Sequence, residues 1–200
     1  MQNFKASPND SRYVPLTQQR MCCVPTCILM IMYRNNIPLI SAEELGYYLG
    51  LTVPPTEKQL FYNTRVADNP PSESGYGTQI ANIDYDPNKA MQELGISLSF
   101  SITLADDIRD TDDLLAKLET IEQDDGDALL CFNHGMVMGE YVPFNGHVTV
   151  FDRIIDRQIR LIDPSPNQPK WRMIDANVMF EAIKKHGNDN SGGIWHFNKR

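Results

Sequence analysis

A thiol, an imidazole and a carboxylate can together attack a carbonyl, and three positions of this sequence are placed to supply them. Cys23 stands where a strongly apolar stretch begins, so it is expected at the first turn of a helix, where the helix dipole favours a thiolate. Gln18 and Gln19 lie just upstream, and a side-chain amide from either would join the Cys23 backbone N–H as an oxyanion hole. His147 follows Gly146 at the mouth of an apolar run, Gly-His-Val-Thr-Val-Phe, where its ring can face a cleft as the base. Asp163 comes sixteen residues later, before Pro164. A hairpin reversing near Ile155 sets the two abreast on one face, with the carboxylate orienting the imidazole. A turn centred on Asp156-Arg157 slips that register and weakens the pairing.

The elements that must hold these groups are legible in outline. Residues 23–35 are apolar almost all round, which suits a helix buried on every side; Pro25 is tolerable only in its first turn, so the helix starts at Cys22 or Cys23. Ser41-Ala-Glu-Glu44 is a capping box for a short helix that Gly50 closes, and Thr56 to Gln59 is a second, poorer one. Residues 64–80, rich in Pro, Ser, Gly and Asn, read as a long surface loop. Asp86-Pro87 opens a helix ended by Gly95, and Ile96 to Ile102 alternate as a strand. A helix follows over 110–123, then strands over 128–132, 148–155 and 159–163. Asp175 caps a helix ending at Gly187, and a last strand covers 193–197. The class is α+β over one domain, 1–200: an N-terminal helical part with a buried central helix, packed on a C-terminal antiparallel sheet.

Composition narrows the partners. A net charge of −8, from 26 acidic and 18 basic side chains, argues against nucleic acid, and no basic amphipathic stretch suits an anionic membrane surface. The longest uncharged stretch, Met21 to Tyr33, is too short to span a bilayer and contains Pro25, and the first residues lack a charged leader with an apolar core; the expected compartment is the cytoplasm. Four cysteines, three of them clustered, do not make a disulfide framework. Cys22 is the alternative nucleophile, Cys27 is expected in the helix core and Cys131 in a strand core. Cys131 and His134 have ligand spacing but lack two further ligands, so no metal or cofactor is expected. His134 reads as a loop residue that competes with His147 for the role of base. His186 follows two lysines in a last helical turn, where positive charge complements the dipole, and His196 lies in the terminal strand.

Three pieces in order, Gln-Arg-Met-Cys-Cys-Val-Pro-Thr-Cys (19–27), Gly-His-Val-Thr-Val (146–150) and Leu-Ile-Asp-Pro (161–164), resemble the papain-like cysteine peptidases, in particular the bacterial branch that cleaves double-glycine leader peptides from bacteriocins. That pattern has a cysteine four residues after the nucleophile, met by Cys27, and a His-to-Asp spacing of about sixteen, met by His147 and Asp163. It departs at Cys22, where the family has Asp, at Val24, where it has Gly, and at Thr17, where its glutamine is expected one residue ahead of Gln18. The resemblance implies a thiol hydrolase with Cys23, His147 and Asp163 as a triad, acting on a peptide or protein substrate after a small residue. The same thioester chemistry serves an acyltransferase or a deamidase. An inactive peptide-binding module is the reading that Val24 and the displaced glutamine favour.

Overall fold

The computed structural model describes residues 10–200. The stretch inspected for a leader falls largely on residues 1–9, outside the described residues. Helix α1 (Cys23–Arg34) begins where Pro25 requires, and Val24 to Met32 are all buried. It is followed by α2 (Ala42–Tyr48), with Ser41 accepting from the Glu43 and Glu44 N–H groups as its cap, and by the two-residue strands β1 (Thr52–Val53) and β2 (Arg65–Val66). The weaker capping box is not one: residues 55–60 form a 3-10 helix, because Pro54 and Pro55 lead the segment and leave Thr56 inside it rather than at a cap. Next come α3 (Pro87–Glu93), capped by Asp86, β3 (Leu98–Leu104) and α4 (Thr111–Gln123), capped by Asp110.

The second half is less purely strand than its sequence suggests. β4 (Asp127–Asn133) leads into a short helix α5 (His134–Met138), then β5 (Gly146–Ile155), β6 (Gln158–Ile162), β7 (Trp171–Asp175), α6 (Ala176–His186) and β8 (Gly193–Lys199). α5 and β7 were not legible: α5 is one turn long, and β7 carries a tryptophan, an arginine and an aspartate in five residues.

These strands form one antiparallel sheet in the order β3-β8-β4-β5-β6-β7. β4 is buried along its whole length and shows why both layers are needed. Leu129 and Cys131 join Val148, Val150, Ile162 and Trp195 in the core beneath α1. Leu130 and Phe132 join Phe151, Leu161 and Ile194 beneath α4 and α6. Alternation on strands with two covered faces fixes which residues meet which helix.

Candidate active site

Cys23 opens α1, and no side chain caps that helix: its N-cap is Cys22, so the first-turn N–H groups face outward with the positive end of the dipole. Of the four cysteines, only Cys23 is partly exposed. Cys22 is fully buried against Leu51, Val53 and Phe61, and that burial pushes its thiol up to about 12. Cys27 and Cys131 are likewise held well above the ordinary range by burial. Cys27 is core, as expected; Cys131 is a strand residue whose environment also borders the cleft.

His147 lies at the start of β5, paired across to Phe132. Its Nε2 donates to Asp163 Oδ1 at 2.9 Å, and Cys23 lines the same cleft. Burial disfavours a charged imidazole, but the bond to Asp163 and the nearby Cys23 outweigh it and raise His147 to about 9. Asp163 has no exposed surface. Burial would raise its carboxyl, yet His147, Arg172 and the Ser165 N–H together hold it down at about 2.

How the two come together differs from the expectation. The turn is the two-residue one, with Asp156 and Arg157 both in the left-handed region, so Ile155 faces Gln158 and Arg153 faces Arg160. Continued unbroken, that register sets Asp163 opposite Val150 and therefore on the other sheet face from His147. A bulge at Asp152 prevents this: beyond it Phe151 pairs with Leu161 and Val150 with Ile162. The continued register then sets Asp163 opposite Thr149, a diagonal neighbour of His147 on its own face. The bulged Asp152 is fully buried and committed on both oxygens, accepting from the Arg12 N–H at 3.0 Å and from the Arg160 guanidinium.

The glutamines diverge. Gln19 donates its amide to the Leu60 carbonyl at 2.6 Å. Gln18 is tied by its backbone N–H to the Pro164 carbonyl, next to Asp163, and its Oε1 is buried without a partner. Lys170 fastens the same junction, its ammonium lying 3.1 Å from the Pro164 carbonyl, 3.2 Å from that of Ser165 and 3.5 Å from that of Leu16.

Arg172 escaped the sequence reading, and His134 and His186 sit differently from their expected places. Arg172, on β7, donates to Asp163 Oδ2 at 2.7 Å and also faces His134 Nε2 at 3.3 Å. His134 is no loop residue: it opens α5 behind the Asn133 cap, its ring edge-on to His147 at 5.1 Å. Burial, with His147 and Arg172 beside it, lowers it to about 4, so it stays neutral where His147 is charged. His186 needs more than the helix dipole to account for it. It is buried in the cleft wall, held neutral by a pKa lowered to about 4, and its Nε2 has no partner. No spacing links any of the three to His147 and Asp163, because β7, α5 and the end of α6 reach the site only through the fold.

The cleft runs from Cys23 and Val24 between two walls. One is the segment 72–81, expected as a surface loop but partly buried: Gln79 bonds the carbonyls of Gly75 and Gly77, and Gly77 pairs with Thr52. The other is Gly146 to Val148 with His186 and Asn190. The walls touch where the Gly146 N–H meets the Ser74 carbonyl at 3.0 Å. A Cβ on Gly146 would come within 2.8 Å of both that carbonyl and the His186 ring, so only glycine fits. Among the described residues no group of three His, Cys, Asp or Glu is arranged to hold a metal, and no helix is long and apolar enough to cross a membrane.

No protein-family model and no curated protein matches the sequence. Solved structures do match. A Bacillus anthracis protein designated a C39-like peptidase superposes with a TM-score of 0.57 over 94% of this chain and 95% of its own, at 16% identity. A double-glycine motif protease from an AMS/PCAT transporter, solved in complex with the leader peptide, gives 0.51 over 94% and 92%, at 12% identity. The chain thus has the papain-like α+β fold of the C39-like peptidases.

Proposed function

We propose that this protein is a cysteine peptidase in which Cys23 is the nucleophile, His147 the general base and acid, and Asp163 the residue that orients His147. The observation that carries this reading is the buried pair of His147 Nε2 and Asp163 Oδ1 at 2.9 Å, in a cleft that the helix-start Cys23 also lines. In the reaction the Cys23 sulfur bonds to the scissile carbonyl carbon while the imidazole holds the thiol proton. Collapse of the tetrahedral adduct breaks the C–N bond, and the proton passes to the leaving amine. Water, deprotonated by His147, then cleaves the thioester and regenerates the thiol. The Cys23 N–H and a glutamine amide face the oxyanion; Gln18 is the better donor, since the Gln19 amide is spent on Leu60. A peptide substrate is supported by the fold neighbour solved with a leader peptide.

The test needs no known substrate. Alkylation of each cysteine is followed against pH by peptide mass spectrometry in the wild type and in His147→Ala. Cys23 alone is expected to label fast at about pH 6, well below the range of an ordinary thiol, and to lose that advantage without His147. Fast labelling elsewhere, or none that depends on His147, would overturn the reading. Once a substrate is found, Cys23→Ala is expected to abolish turnover. Added amine that appears as an amide adduct would mark acyl transfer in place of hydrolysis.

A further inference from the structure

We propose that Arg172 is a positioning residue of this site, supplying the positive charge that allows thiolate, imidazolium and carboxylate to coexist in a buried cleft; the inference rests on the peptidase reading above. A thiolate, an imidazolium and a carboxylate sum to one net negative charge. Here that charge falls around an aspartate with no exposure and a histidine that is 9% exposed, where a net charge is costly. Arg172, itself 9% exposed, binds the carboxylate oxygen that His147 leaves free and brings the sum to zero.

Among the described residues no cation besides Arg172 and the His147 imidazolium bonds the carboxylate, and Lys170 adds only a weaker attraction to Asp163. Asp163 is faced by His147 from β5, Arg172 from β7 and the Ser165 N–H. Lys170 is nearby, but its ammonium sits among main-chain carbonyls, 3.5 Å from the carbonyl of Asp163, and makes no bond to the carboxylate. His147 is faced by Cys23 from α1, Phe132 from β4 and His134 from α5. His134 accepts from Arg172, so the same guanidinium that balances Asp163 also keeps the neighbouring imidazole neutral. Without Arg172, deprotonating His147 leaves Asp163 a lone buried anion, so the imidazolium persists to higher pH. Forming the thiolate then adds a second anion against one cation, so it too is delayed to higher pH.

The experiment compares the pH window of fast Cys23 alkylation in wild type, Arg172→Gln, which removes the charge but keeps a planar donor, and Arg172→Lys, which keeps the charge. Both limbs of the Arg172→Gln window are expected to move up by about one pH unit, and the lysine variant is expected to stay near wild type. A glutamine window that superposes on wild type with only its amplitude lowered overturns the proposal, as does a lysine variant that moves equally far. A wild type without any His147-dependent window instead overturns the peptidase reading itself. Should Arg172→Gln fail to fold, Asp163→Asn/Arg172→Gln removes both charges together. A folded double variant supports charge balance, and an unfolded one assigns Arg172 a purely structural role.

Discussion

At the scale of single residues, the site couples protonation to stability in a way that can be measured. His147 is raised from its ordinary 6.5 to about 9, so its contribution is complete below about 6.5 and is lost as pH rises through about 9. Asp163 is lowered from 3.8 to about 2, so its contribution is present above 3.8 and is lost as pH falls towards 2. Urea denaturation across pH is therefore expected to show stability falling between about pH 6.5 and 9, with that slope flattened in His147→Ala. A slope unchanged by the substitution would mean that the ion pair is not formed in solution. His134 and His186, both lowered to about 4 by burial, act in the opposite sense: they add stability as pH rises from about 4 through 6.5 and oppose the His147 slope at its lower end.

At the scale of elements, the bulge in β5 decides whether His147 and Asp163 can pair at all. Asp152 holds the extra residue in place through the Arg12 backbone and Arg160, both far from the cleft chemistry. Asp152→Ala leaves Arg160 with only the half-exposed Asp10 as its ionic partner, at 3.0 Å, and is expected to cost about 3 kcal/mol in denaturant titration. If the fold survives, the His147-dependent labelling of Cys23 should weaken as well, whereas a variant at the opposite sheet edge should leave it intact. Helix α1 also contributes through packing. Ile31 is fully buried in the cluster shared with β4 and β5, and Ile31→Ala is expected to cost about 2–5 kcal/mol by the same measurement. A smaller loss would show that the surrounding core collapses into the space.

At the scale of the whole molecule, the cleft is made where distant segments converge. The segment before α1 is fastened by Lys170 to the turn after β6, and by Asp127, which accepts from Tyr13 and from Arg34, each at 2.6 Å, to the start of β4. Segment 72–81 meets β5 through Ser74 and Gly146. Gly146→Ala tests that junction: the added methyl must displace either the Ser74 carbonyl or the His186 ring. The expected result is a loss of about 1–3 kcal/mol in stability together with slower Cys23 labelling. Unchanged labelling at equal stability loss would separate the wall from the site. Two structures at 16% and 12% identity share this fold over nearly the whole chain.

The local code was sufficient for the helix starts, the caps and most strands. Pro25 and the apolar run place α1, Asp86, Asp110 and Asp175 cap their helices, and alternation marks β3. It was sufficient, too, to single out Cys23, His147 and Asp163 as groups able to meet, because their spacing is compatible with one helix start and one hairpin. Tertiary structure alone decided that His147 and Asp163 pair and that Cys23 shares the cleft with His147. The turn at Asp156-Arg157 sets a register that separates them, and the bulge that corrects it is held by Arg12 and Arg160, one of them 140 residues away in sequence. It alone brought Arg172, His134 and His186 to the cleft and carried segment 72–81 over it. Propensity, capping and periodicity act within a few residues, whereas register, charge balance and the shape of a cleft are set by contacts between segments that the chain keeps far apart.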